Sequence, residues 1–191
     1  MELKQIKKII KIPHTQAMID RAISKANALG SINNSILRGG GNIAGYLGEE
    51  AVASYIGANI VSCDEGTDKY NHDILYDKDR LEIKTKRRTV PPKDFYDVSV
   101  AETSKHQRPD TYIFLSLEFD RVNGSGRSKK YYGLKHVWLC GQMDADEYFE
   151  RATLWEAGRV DSSNNFKTHV NMYNLPIKSL DFLKYSDKKR R

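Results

Sequence analysis

Nine consecutive residues, 111 to 119 (Thr-Tyr-Ile-Phe-Leu-Ser-Leu-Glu-Phe), carry apolar side chains on both faces. Side chains alternate along a strand, so a half-exposed strand is apolar only at every second position. Tyr112, Ile113, Phe114, Leu115 and Leu117 break that rule, which predicts the central strand of a sheet covered on both sides. Such a strand needs a further layer on each face. A chain of 191 residues is long enough to supply both as one domain, or as one domain with a small appendage.

The other segments can be read around this strand. Residues 3 to 12 place Leu3, Ile6, Ile9 and Ile10 at helical spacing between Lys4, Lys7, Lys8 and Lys11, which predicts a basic amphipathic helix ending at Pro13. Thr15 suits the N-cap of a second helix through Met18, Ala22 and Ala26 to Gly30. Residues 31 to 42 have turn chemistry. There Arg38 stands beside Gly39-Gly40-Gly41, which reads either as a phosphate-approaching loop or as a plain connector. A helix over residues 43 to 56 is closed by Gly57 and carries Glu49 and Glu50.

Strands follow at 60 to 63, 72 to 75 and 80 to 85, the last two joined by a hairpin turn. Residues 95 to 100 are ambiguous and lead into a polar helix over 101 to 107. A strand over 131 to 140 precedes a helix beginning at Asp144, with Glu147 in capping-box spacing and an end near Gly158. An edge strand at 169 to 173, a short helix from Pro176 and a basic tail complete the chain. The division is 1–42 as a helical extension with a glycine-rich loop, 43–185 as the main domain and 186–191 as the tail.

The charge, +6 from 31 Lys plus Arg against 25 Asp plus Glu, suits a phosphate-bearing partner without requiring one. Cys63 and Cys140 each sit in an apolar run, so two buried thiols in a reducing compartment are expected. No apolar run approaches the ~20 residues that span a bilayer, and the first residues lack the apolar stretch of a signal peptide. The expectation is a cytoplasmic protein with no membrane partner.

Asp73 lies just before a predicted hairpin, and Glu82-Ile83-Lys84 lies on its second strand. In a strand over 80 to 85, Leu81 and Ile83 face a core while Glu82 and Lys84 share the opposite face. Folding the hairpin brings Asp73 toward Glu82. Acid-x-Lys triplets also occur at Glu2-Leu3-Lys4 and Asp187-Lys188-Lys189, but only the central one has alternating apolar flanks and a hairpin-distance aspartate. Two carboxylates there suit Mg²⁺ bound through oxygen ligands and water, with Lys84 orienting the attacking water. Helical periodicity leaves open whether Glu49 or Glu50 faces this site. Lys86-Arg87-Arg88 follows as the expected DNA-contacting cluster. His14, His136 and His169 have no mutual ligand spacing, which disfavours a zinc centre.

The order helix with glutamate, strand, strand with aspartate, strand with Glu-x-Lys, helix, strand over residues 43 to 119 resembles the PD-(D/E)XK nuclease superfamily. The resemblance implies an α/β, restriction endonuclease-like fold: a mixed central sheet flanked by helices, here with extra N-terminal helices. It implies Asp73, Glu82, Glu49 and the backbone carbonyl of Ile83 as metal ligands, with Lys84 as catalytic lysine. Gly45-Tyr46-Leu47-Gly48-Glu49-Glu50 looks like the first core helix of resolvase-like members, and the spacing glycine-then-glutamate favours Glu49 over Glu50. The family's proline is replaced by His72, read as a phosphate contact or a surface histidine. Lys105, His106 and Gln107 fall where such members place a polar residue near the scissile phosphate. The expected activity is Mg²⁺-dependent DNA hydrolysis, with Mn²⁺ substituting, by a structure-directed or nicking endonuclease serving recombination or repair. The alternatives are an exonuclease or an inactive DNA-binding module, and resolvase-like action would require a homodimer.

Overall fold

The computed structural model describes residues 9–29, 42–60, 72–120, 133–162 and 166–185. In chain order these form β1 (Ile10–Ile12), α1 (Gln16–Leu29), α2 (Asn42–Ile56), β2 (Ile74–Tyr76), β3 (Asp79–Arg88), β4 (Asp97–Ala101), β5 (Thr111–Phe119), β6 (Leu134–Asp144), α3 (Ala145–Arg151), β7 (Thr153–Trp155), β8 (Val160–Asp161), β9 (Phe166–Lys167) and β10 (Met172–Pro176). The architecture is mixed α/β. A five-stranded sheet runs β1-β6-β5-β3-β2, and a smaller sheet runs β4-β10-β7.

All nine residues of β5 are buried, as the two-sided apolar pattern predicts. The strand pairs parallel with β3 and antiparallel with β6, so the large sheet is mixed. Alternation sorts the side chains of β5 into two cores. Ile113, Leu115 and Leu117 pack with Met18 and Ala22 of α1 and with Leu47, Ala51 and Val52 of α2. On the opposite face, Tyr112 and Phe114 pack with Tyr148 of α3, Val98 and Val100 of β4, and Leu175 of β10. Tyr112, Phe114 and Tyr148 form a ring cluster with centroids 5.2 to 6.0 Å apart. Burying each such side chain contributes about 1.5–3 kcal/mol before entropy is counted.

Several elements form as their local sequence predicts. Thr15 Oγ1 accepts the Met18 amide at 3.3 Å and starts α1, while Gly57 ends α2 with a left-handed φ of 71°. Asp144 Oδ1 accepts the amides of Asp146 and Glu147 at 2.9 and 3.2 Å, capping α3. β2 and β3 form the expected hairpin through Asp77-Lys78, with Asp77 at a φ of 58°.

Other elements differ from their expectation. Residues 10 to 12 are strand rather than helix: the β-branched Ile10 and Ile12 pair with Leu139 and Val137 at the free edge of β6, and Pro13 bars helical continuation. The first segment is thus built into the large sheet and the helical layer. The polar helix over 101 to 107 reduces to one 3-10 turn at Glu102–Ser104, because no apolar stripe holds a longer helix to a core. The helix from Asp144 stops at Arg151, and Thr153 to Trp155 instead pairs with β10. β10 is the centre of the small sheet and not an edge. β6 runs on to Asp144, past Gly141 at a φ of 138°, where a Cβ would lie 2.6 Å from the Asp181 carbonyl oxygen. There Gln142 and Asp181 exchange both backbone hydrogen bonds and dock the C-terminal segment. Cys140 is buried. The expected strand beyond Ile60, Cys63, the loop with Arg38, and the tail lie outside the described residues.

Among the described residues, no helix is long and apolar enough to cross a membrane.

Candidate functional site

β3 sets the site. Leu81 and Ile83 are buried against the α1/α2 layer, while Glu82, Lys84, Lys86 and Arg88 project to the other face, where Glu82 stands beside Tyr112 and Lys84 beside Phe114. Lys84 Nζ contacts Glu82 Oε1 at 2.6 Å, with Glu82 only 5% exposed. The Gln107 carboxamide oxygen accepts a longer hydrogen bond from Lys84 at 3.5 Å. Gln107 reaches this place because the turn at Glu102–Ser104 is short, its amide bonding Ser104 O at 3.0 Å.

Asp73 enters from the edge of β3, just before β2. Its amide bonds Leu81 O at 2.9 Å and its Oδ2 accepts the Ile83 amide at 2.7 Å. The N–H and C=O of one strand residue point to the same side, so the Ile83 carbonyl shares that edge with the Asp73 carboxylate. Burial, then the charges of Glu82 and Glu49, hold the Asp73 carboxyl well above its ordinary range, against the opposing pull of the Ile83 amide and Lys84.

The third carboxylate comes from α2. Gly48 lets this helix sit directly on β3, since a Cβ there would collide with Thr85 Oγ1. The next residue, Glu49, is 9% exposed, and burial raises its pKa, with Lys25 opposing and Glu82 adding. Lys25 of α1 meets Glu49 Oε2 at 3.3 Å. Glu50 turns instead to Arg21, whose Nε and Nη2 lie 2.9 and 2.6 Å from Oε2. Of the two glutamates of α2, it is Glu49 whose charge bears on Asp73, while Glu50 is paired with Arg21. Lys25 carried no distinguishing signal in the sequence, because its partner lies in a different helix.

Glu82 and Glu49 both raise the proton affinity of Asp73, and carboxylates are the oxygen donors that a hard divalent cation takes. In this arrangement Glu82 and Glu49 are each turned to a lysine, and among the described residues no group of three or more His, Cys, Asp or Glu side chains is gathered tightly enough to hold an ion.

The remaining candidates fall elsewhere. His72 is 8% exposed, so it is not a surface histidine, and among the described residues its buried Nδ1 has no hydrogen-bond partner. Lys105 points to Tyr173, its Nζ 3.4 Å from the hydroxyl and over the Phe149 and Tyr173 rings. The cluster expected to meet DNA is largely turned inward. Lys86 and Arg88 each donate to Asp97 O at 2.9 Å, and Arg88 also donates to Ser116 Oγ at 3.0 Å. Desolvation brings the Lys86 pKa down to about 8. These two cations tie β4 to β3, and only Arg87 of the three is exposed.

No protein-family model matches the chain, and no curated protein matches it.

Proposed function

We propose that the chain is a divalent-metal-dependent deoxyribonuclease of the PD-(D/E)XK type with a restriction endonuclease-like fold, acting as an endonuclease. The observation that carries this reading is that Asp73, Glu49 and the pair Glu82–Lys84 come from three separate parts of the chain, the segment before β2, α2 and β3, and that the charges of Glu82 and Glu49 both bear on Asp73. Asp73, Glu82, Glu49 and the Ile83 carbonyl would hold Mg²⁺, with Mn²⁺ as substitute. A bound divalent ion supplies Lewis-acid stabilisation of charge on the phosphate and a more acidic water.

The residues themselves do the rest. Lys84, held between Glu82 and Gln107, presents a compact ammonium that orients the attacking water and answers negative charge in the transition state. Gln107 fixes that ammonium, and Lys25 tempers the charge of Glu49 before the cation binds. DNA is the proposed partner, and a homodimer would suit symmetric cleavage of a branched substrate.

A second reading is favoured by the ion pairs on Glu82 and Glu49, which satisfy both carboxylates without a metal: a nucleic-acid-binding module that does no chemistry. Incubation with supercoiled, linear, branched and single-stranded DNA in Mg²⁺ separates the two. Cleavage should occur and be abolished by Asp73→Ala; cleavage that survives the substitution, or none on any substrate, overturns the assignment. Release of mononucleotides only from ends would make the enzyme an exonuclease.

A further inference from the structure

Tyr112 lies on the same face of the large sheet as Glu82, its partner in the β3–β5 register, and its side chain is fully buried. Phe114, Tyr148 and Phe149 hold its ring, with centroids 6.0, 5.6 and 6.0 Å away. The Lys84 ammonium stands 5.9 Å from the centre of the same ring. Packing of this kind asks only for a ring, and Phe114, two residues on, supplies one with no hydroxyl. The Tyr112 hydroxyl is nevertheless buried without a hydrogen-bond partner among the described residues.

The other buried tyrosines are satisfied. Tyr148 donates to Tyr173 O at 2.7 Å, and the Tyr185 hydroxyl meets Asp79 Oδ2 and Thr111 Oγ1 at 2.9 and 3.1 Å. A buried hydroxyl with no partner costs stability that a phenylalanine would not, so Tyr112 calls for a second state of its surroundings in which the hydroxyl is bonded. Burial, and after it the negative charge of Glu82, raise the phenol's pKa and keep the hydroxyl a donor.

The neighbours show which state that is. Among the described residues, the Glu82 carboxylate accepts one hydrogen bond, from Lys84 at 2.6 Å. Lys84 has a second acceptor in Gln107, whereas Glu82 has no second donor among them. We propose that Tyr112 is a positioning residue for the metal set: its hydroxyl donates to the Glu82 carboxylate once that carboxylate turns from Lys84 to take a divalent cation. A donor behind a ligating carboxylate fixes the orientation of the ligand and raises the affinity for the cation. The proposal rests on the nuclease reading and adds a residue to its metal site.

The test uses the full chain with Mn²⁺ alone as the probe, free Mn²⁺ being followed by electron paramagnetic resonance, beside thermal melts in EDTA. Tyr112→Phe should weaken Mn²⁺ binding about tenfold or more. Its melting midpoint in EDTA should stay at or above that of the wild type, because only the unpaired hydroxyl is removed. Mn²⁺ should also perturb the ultraviolet difference spectrum of tyrosine in the wild type, and this change should be absent from Tyr112→Phe. Equal Mn²⁺ affinities for the two proteins, or a loss of affinity matched by a lower midpoint in EDTA, would overturn the role of Tyr112. In either case, wild-type binding that Asp73→Ala abolishes would leave the nuclease reading standing. No Mn²⁺ binding by the wild type would overturn the metal site and the role of Tyr112 together.

Discussion

Glu82 and Lys84 occupy one half of the charged face of β3, and Lys86 and Arg88 occupy the other. Strand alternation gives all four the same orientation, yet their partners differ in kind. In the second half, both cations converge on one neutral backbone carbonyl, Asp97 O, with Ser116 as a further acceptor. Neutral acceptors fix a side chain in place and hold two strands together. In the first half, charged groups answer charged groups, and three carboxylates face two lysines in partial burial. There the carboxylates answer one another as well as the lysines, and the charges of Glu82 and Glu49 bear on Asp73. The neighbouring element, and not the strand itself, decides whether a charge on β3 meets a neutral acceptor or another charge.

This division can be broken most sharply by paired substitutions. Lys84→Ala should lower DNA cleavage by ~10²-fold or more with little change in metal or DNA affinity, as removal of a positioned electrostatic or proton-handling group does. Lys86→Met, two residues on, should leave cleavage within about tenfold of the wild type in assays below its unfolding temperature. Comparable losses from both would erase the distinction between the halves.

A smaller effect sharpens the account of the carboxylates. The Asp73 carboxyl is held well above its ordinary range, so the folded state binds its proton more tightly than the unfolded state. The stability it contributes is present at low pH and is lost as pH rises through the raised value. Asp73→Asn should therefore raise the melting temperature at neutral pH in chelator by about 2–4 °C, an advantage that shrinks toward pH 4. A variant that melts below the wild type at neutral pH would show that the Ile83 hydrogen bond outweighs the repulsion.

The smallest effect belongs to Lys86. With its folded pKa down at about 8 from an ordinary 10.5, the unfolded chain carries a proton between those values that the folded chain lacks. Stability from this group consequently rises with pH across that window. Denaturant titrations between pH 8 and 10 should show the wild type gaining on the order of 1 kcal/mol relative to Lys86→Met, and parallel pH profiles would contradict its enclosure.

Much of this was legible where the signal is local. The nine-residue run of β5, the Thr15 and Asp144 caps and the β2–β3 hairpin follow from periodicity and short-range hydrogen bonds. The approach of α2 to β3 was marked by a glycine before a glutamate, though only the contact with Thr85 shows why Gly48 is required. Features set by distant partners were not legible. The sequence of β1 fits a helix as well as a strand because Ile and Lys satisfy either period over so few residues, and pairing with the edge of β6 decides for the strand. The three short strands of the small sheet carry too little pattern to stand alone, and each exists through its neighbour. Lys25 and the inward turn of Lys86 and Arg88 depend on side-chain meetings that no spacing rule encodes.

The pairing of Ile10 with Leu139 also dictates an order of assembly. β1 leaves the ribosome early, and its partner strand is synthesised on the order of ten seconds later. Closing so long a loop is slow relative to local helix and hairpin formation. The hairpin carrying Asp73 and Glu82 can fold well before β1 is anchored, whereas α1, which follows β1 and brings Lys25 to Glu49, is fixed at both ends only when β6 has arrived. In a nascent chain Glu82 has Lys84 at hand within β3 itself, whereas the Lys25–Glu49 pair sits on a helix that is tethered through β1 only once β6 has emerged.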